Sequence, residues 1–257
     1  MSYTCLNKHC TVSSSKISFT MAIPCPICKL PLTKFQFYES IYMDYNFYTK
    51  IIYGKNQFNT YEEYYNEALN FEQQGNYKKS IELFQNAINH VLNENLPSNN
   101  HIAFLYNKIG LSAAKLEDYD KALMAFSKAI EIELLFNNVD ESKVFYYYLN
   151  MAIIYKLKFD FINAIVNYKK CIEIKLKMVE EFHPDLFDLH FIIAACYESA
   201  DKIDEAFYEF VYSAKIYHYN TFNITFGLDK KEAIYNAKRL AKQLNKENEL
   251  PEWMKNF

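Results

Sequence analysis

Gly75-Asn-Tyr-Lys-Lys-Ser-Ile-Glu-Leu-Phe-Gln-Asn-Ala87 decides how this chain is read, because it returns three times at a constant offset. The copies are Asp118-Tyr-Asp-Lys-Ala-Leu-Met-Ala-Phe-Ser-Lys-Ala129, Asp160-Phe-Ile-Asn-Ala-Ile-Val-Asn-Tyr-Lys-Lys-Cys171 and Lys202-Ile-Asp-Glu-Ala-Phe-Tyr-Glu-Phe-Val-Tyr-Ser213. Aligned, they put small residues in three columns 42 positions apart: Ala68, Gly110, Ala152, Ala194; Ser80, Ala122, Ala164, Ala206; and Ala87, Ala129, Cys171, Ser213. Large residues keep the same register, in the columns Tyr64, Tyr106, Tyr148, His190; Phe84, Phe126, Tyr168, Phe210; and Tyr77, Tyr119, Phe161, Ile203. A fixed period of this size signals stacked helical units. Each unit reads as two helices joined by a tight turn, at Gly75, Glu117-Asp118, Phe159-Asp160 and Asp201-Lys202. Small side chains let helix axes approach, and aromatics fill the space on either side. Neither helix buries its apolar stripe alone, so each unit needs its neighbour.

Composition agrees. Among 257 residues there are only four Gly and six Pro, which favours long helices over a turn-rich β fold. The net charge is −3 and Arg239 is the sole Arg, so the chain lacks the basic footprint and bidentate donors that nucleic acid calls for. Its start, Met-Ser-Tyr-Thr-Cys, is not a secretory signal, and no apolar run approaches the roughly 20 residues that span a bilayer. The expectation is a cytoplasmic, membrane-free protein whose six Cys are not disulfides.

The small–aromatic signature of Ala68, Phe71, Gly75, Tyr77, Ser80, Phe84 and Ala87, and of Gly110, Ala113, Tyr119, Ala122, Phe126 and Ala129, resembles the tetratricopeptide repeat family. The period is eight residues longer than that family's common one, which implies longer second helices of the kinesin light chain-like kind. The resemblance implies an all-α, right-handed solenoid of four helix pairs over residues 61–228, starting near 61, 103, 145 and 187. It also implies a concave groove lined by first helices, at Tyr65, Asn66, Leu69, Asn107, Lys108, Leu111, Lys115, Tyr146, Leu149, Asn150, Ile153 and Phe191. Asn side chains there suit a peptide backbone, having both donor and acceptor, and Lys108 and Lys115 suit a carboxylate. The alternative occupant is the chain's own tail.

The flanks read differently. Cys5, Cys10, Cys25 and Cys28 are spaced as two metal-binding pairs, the second in Pro24-Cys-Pro-Ile-Cys-Lys. Such pairs complete a tetrahedral zinc site, and with the alternating Ile17, Phe19, Met21 and Ile23 between them residues 1–34 resemble a small β zinc ribbon. The first pair is Cys-x4-Cys, which leaves His9 open as a substitute for Cys10, and redox or free thiols remain the competing reading. Residues 35–60 read as a linker with a helix over 39–53, ending in Thr60-Tyr-Glu-Glu63 as a capping box. Residues 229–257 read as a capping helix, with Ile234, Ala237, Leu240 and Leu244 on one stripe and Trp253 packing the tail back.

No phosphate loop or helical metal motif is present, and Cys171, Cys196 and His190 fall in core columns, so no enzyme is expected. The expected function is a non-enzymatic scaffold that binds a protein or peptide in the groove. The competing reading is a regulator whose ribbon contacts nucleic acid while the array senses a partner.

Overall fold

A repeating pair of main-chain hydrogen bonds builds the array. The computed structural model describes residues 3–5, 13–14, 32–34, 59–93, 99–135, 139–220 and 230–256. Contacts divide the chain into two units, residues 1–67 and 68–257. In the first, β1 (Tyr3–Cys5) is the centre of a three-stranded antiparallel sheet, flanked by β2 (Ser13–Ser14) and β3 (Leu32–Lys34). Its register sets Tyr3 opposite both Ser14 and Lys34, and Cys5 opposite Leu32. The strand expected over 17–23, the helix expected over 39–53, and Cys10, Cys25 and Cys28 lie outside the described residues.

The helices are α1 (Asn59–Gln73), α2 (Tyr77–Asn93), α3 (Asn99–Lys115), α4 (Tyr119–Leu134), α5 (Glu141–Leu157), α6 (Phe161–Leu176), α7 (Phe187–Ser199), α8 (Ile203–Tyr219), α9 (Lys230–Leu244) and the short α10 (Glu252–Lys255). Within the second unit each first helix packs on its own second helix and on the second helix before it, so α3 meets α2 and α4, and α5 meets α4 and α6. First helices end in a left-handed residue: Gly75, Glu117, Phe159 and Asp201, with φ of 74°, 58°, 60° and 59°. At each, the following amide donates back five residues, as in Asn76 to Phe71, Asp118 to Ala113, Asp160 to Tyr155 and Lys202 to Tyr197, at 2.8–3.0 Å. This is the Schellman arrangement, which satisfies the carbonyls a helix end leaves bare. Asn76, Asp118 and Asp160 then cap the next helix by accepting from Lys79, Lys121 and Asn163. One residue ends a helix and the next starts another, so the turn needs no Gly.

The three small columns and the Phe84, Phe126, Tyr168, Phe210 column are buried throughout. At Gly110 the fit is closest: a methyl there would fall 2.5 Å from Cε1 of Phe126. Where the third small column departs from Ala, its heteroatom has a use. Cys171 Sγ donates to the Phe145 carbonyl at 3.6 Å, and Ser213 Oγ to the equivalent Phe187 carbonyl at 3.2 Å.

The structure corrects two expectations. The extra length is not confined to the second helices, which have 17, 16, 16 and 17 residues; the first helices have 15, 17, 17 and 13. First helices begin at 59, 99, 141 and 187, so the second and third units start four residues before 103 and 145. A 3-10 turn, Pro184–Leu186, precedes α7 and is capped by His183, whose Nδ1 accepts from the Asp185 amide.

A fifth copy of the turn closes α9. Asn245 has φ 55°, and the Lys246 amide donates to Ala241 at 2.8 Å. Signal for it is weak in the sequence because the offset from Asp201 is 44 and the small–aromatic columns stop. After it come a 3-10 turn, Glu247–Glu249, and α10, with Met254 buried and Trp253 stacked on His218 at 4.0 Å. Helix α9 buries Ala233, Ile234, Ala237, Leu240 and Ala241 and packs on α8, which makes it the cap expected of this stretch. No described helix is long and apolar enough to cross a membrane.

Candidate functional site: the first-helix face

First helices of successive units are joined side to side by polar pairs. Between α1 and α3, Glu72 accepts from Lys108 Nζ at 3.0 Å and from Ser112 Oγ at 2.7 Å. Between α3 and α5, Asn150 Nδ2 donates to Asn107 Oδ1 at 3.1 Å. Between α7 and α9, Arg239 donates to Glu198 at 2.8 Å. These bonds fix the spacing of the helices and spend polar groups that a ligand would otherwise meet.

The expected groove residues therefore divide. Lys108 is buried and already paired, so it is not a cation waiting for a ligand. Phe191 is buried too, its ring 6.1 Å from that of Phe187 and 5.2 Å from that of Phe210, which places it in the core rather than in a groove. Tyr65 is buried and stacked on Tyr61. Leu69, Asn107, Leu111, Leu149 and Asn150 are half-buried; Asn66, Lys115, Tyr146 and Ile153 are exposed. Two exposed residues extend the set and went unread in the sequence, Lys156 and Leu157. The signal was available, since Leu157 stands 42 positions after Lys115.

Among the described first helices, α5 carries most of the exposed large apolar side chains, with Tyr235 on α9 in addition, while the second helices expose others such as Met124, Ile162 and Val166. Tyr146, Ile153 and Leu157 are 38, 39 and 48 % exposed, with half-buried Leu149 between them. Spacings of three and four put all four on one face of a helix. The opposite face is core: Val144, Tyr147, Ala152 and Ile154 are buried. A helix apolar on most of its circumference is normally covered all round. At the stripe's end stand Lys115 and Lys156, both exposed and without an ion pair among the described residues.

Behind α5 lies a buried polar cluster. Glu133 is 1 % exposed, 3.9 Å from Lys143 Nζ, and its Oε2 has no hydrogen-bond partner. Burial holds its carboxyl above the ordinary range. The Tyr147 hydroxyl is likewise buried and unpartnered, and burial pushes it up. Burial, aided by Lys143, lowers His101 to about 4. Burial also raises both described thiols, Cys171 to about 12, so neither is a ready nucleophile. Among the described residues no group of three or more His, Cys, Asp and Glu is arranged to hold a metal ion.

Comparison with known proteins fits this geometry. Residues 60–132 and 145–177 each match a tetratricopeptide repeat family. The array has the tetratricopeptide-repeat fold. Similar solved structures include BtubC (BKLC) from P. vanneervenii, 18 % identical over 70 % of each chain at a TM-score of 0.55. A putative kinesin light chain with nearly identical TPR-like repeats, from Podosopora anserina, is 12 % identical, covering 73 % of this chain and 88 % of that one at 0.53. The apo form of RapI is 11 % identical over 76 % of this chain at 0.60, and the match spans about half of its length, 52 %. No curated protein matches. The tetratricopeptide array is thus kinesin light chain-like in fold, at identities that speak to fold alone.

Proposed function

We propose that this protein is a non-enzymatic, cytoplasmic scaffold that binds a segment of a partner protein on the first-helix face of its tetratricopeptide array. The observation that carries this reading is the run of exposed apolar side chains on α5 beside a rigid, hydrogen-bonded α3. A contiguous apolar face on a soluble array is a binding surface in the ordinary case, because leaving it in water forgoes burial energy. Site-specific photo-crosslinking tests it. A benzoyl-phenylalanine placed at Tyr146 should yield a partner adduct in cells, whereas one placed at Met124, exposed on α4, should yield none. Equal labelling from both positions would move the site elsewhere.

For residues 1–34 we propose a zinc ribbon held by Cys5, Cys10, Cys25 and Cys28, serving structure or docking. The spacing of the four Cys supports it, and so does the antiparallel register of Cys5 with Leu32. One zinc per chain after metal-free purification without chelator is the expected result; none would remove the ribbon.

A further inference from the structure

The face of α5 also specifies the chemistry of what covers it, an inference that rests on the scaffold reading above. The stripe runs from Tyr146 to Leu157, so it is about 16 Å long at 1.5 Å per residue, three turns of helix. Its neighbour across the seam is α3, with half-buried Leu111 and exposed Lys115. An extended segment brings main-chain N–H and C=O groups that must all find partners. The seam offers it little, because Asn107 and Asn150 are bonded to each other. A helix satisfies its own main chain and offers side chains at intervals of three and four, the same spacing as the stripe.

Charge then selects among helices. Lys115 ends α3, and Lys156 with Leu157 ends α5, so two unneutralised ammonium groups flank one end of the apolar stripe. The α1–α3 and α7–α9 seams are neutralised from within, by Glu72 on Lys108 and by Glu198 on Arg239. Along α5, next to α3, the described first-helix face presents apolar area beside positive charge with no ion pair among the described residues. We propose that Tyr146, Leu149, Ile153 and Leu157, with Lys115 and Lys156, dock an acidic amphipathic helix of a partner protein. Its apolar residues lie along α5, and its carboxylates lie at the end where the two lysines stand.

The test uses the full chain and designed probes. A fluorescein-labelled peptide of about five helical turns carries Leu at positions spaced three and four apart and Glu on both flanks. A second carries Lys for Glu, and a third Ser for Leu. By anisotropy the Glu peptide should bind roughly tenfold or more tighter than the Lys peptide, and lose affinity with salt. The Ser peptide should not bind. Ile153→Asp should abolish binding, and Lys115→Glu with Lys156→Glu should invert the preference between Glu and Lys peptides while leaving the melting temperature in place. Equal binding of the two charged peptides, or undiminished binding by Ile153→Asp, overturns the proposal. Selection from a random displayed library separates this from the broader reading. Binders lost on Ile153→Asp that are not acidic helices overturn the inference and leave the binding face standing; binders indifferent to Ile153→Asp overturn both. A concentration-dependent dimer that Ile153→Asp dissolves would give the face to a second copy of this chain, and also overturns the inference.

Discussion

Helices α5 and α7 hold the same place in successive units and are both apolar on most of their circumference, yet only one leaves that surface bare. On α7, Phe187, Leu189, Phe191, Ile193, Ala194 and Cys196 are all buried, and its exposed positions are the small Ala195 and Ser199. On α5 the residues 42 positions earlier than Phe191, Ala195 and Ser199 are Leu149, half-buried, and Ile153 and Leu157, both exposed. Phe187 and Phe210 take up Phe191, whereas no described residue of the array covers Ile153 to the same degree. Hydrophobicity along a helix therefore does not mark a site; a mismatch between hydrophobicity and coverage does.

The widest separation expected is in stability. Phe191→Ala should cost about 3–5 kcal/mol in urea unfolding, as a core aromatic lost to a cavity, while Ile153→Ala stays within about 0.5 kcal/mol of wild type. Similar losses at both would mean the α5 face is core after all. Next is the back of the same packing. Gly110→Ala should cost about 1–3 kcal/mol through the Phe126 ring, with Phe126→Leu recovering part of it. Full tolerance would show that α3 and α4 have slack to part.

Smaller still is the cluster behind α5. Burial favours the protonated form of Glu133 in the folded chain, so its contribution is complete below about pH 4, where the unfolded carboxyl is also protonated, and is lost as pH rises through the raised value. Lys143 at 3.9 Å opposes that loss in part, and Asp140 adds to it. Glu133→Gln escapes the loss, so it should gain on wild type with rising pH, by about 1 kcal/mol at neutrality, read as melting temperature against pH. A constant difference across pH would show that the carboxylate is neutralised where it stands. The smallest effect is at the turns. Phe159 is 80 % exposed at φ 60°, so Phe159→Gly should stabilise by a few tenths to about 1 kcal/mol, and Asp201→Gly by a similar amount.

How much of this was legible follows from where each residue's role is decided. Columns such as Phe84, Phe126, Tyr168 and Phe210 repeat because every unit meets the same neighbours, so period alone reveals them, down to His190 against Glu209 and Tyr212 in the half-buried aromatic column. Groove membership is decided by contacts particular to one seam. Lys108 looked like a ligand cation because Glu72 lies 36 residues away and in another helix. Phe191 looked like groove lining because its column neighbour Leu149 is, and only the rings of Phe187 and Phe210 show otherwise. The fifth turn was hidden for a third reason: a Schellman bond is made by main-chain atoms, which leave no residue signature beyond Gly75.

That last feature makes the array editable. Glu117 and Phe159 end their helices in the same main-chain conformation and are followed by Asp118 and Asp160, which cap the next helix alike. Excising residues 118–159 would join Glu117 to Asp160 with both conformations preserved, set Tyr168 where Phe126 met Gly110, and remove α4 and α5 in one cut. The shortened chain would keep its turn grammar and its C-terminal closure by Trp253, and lose the apolar stripe of α5.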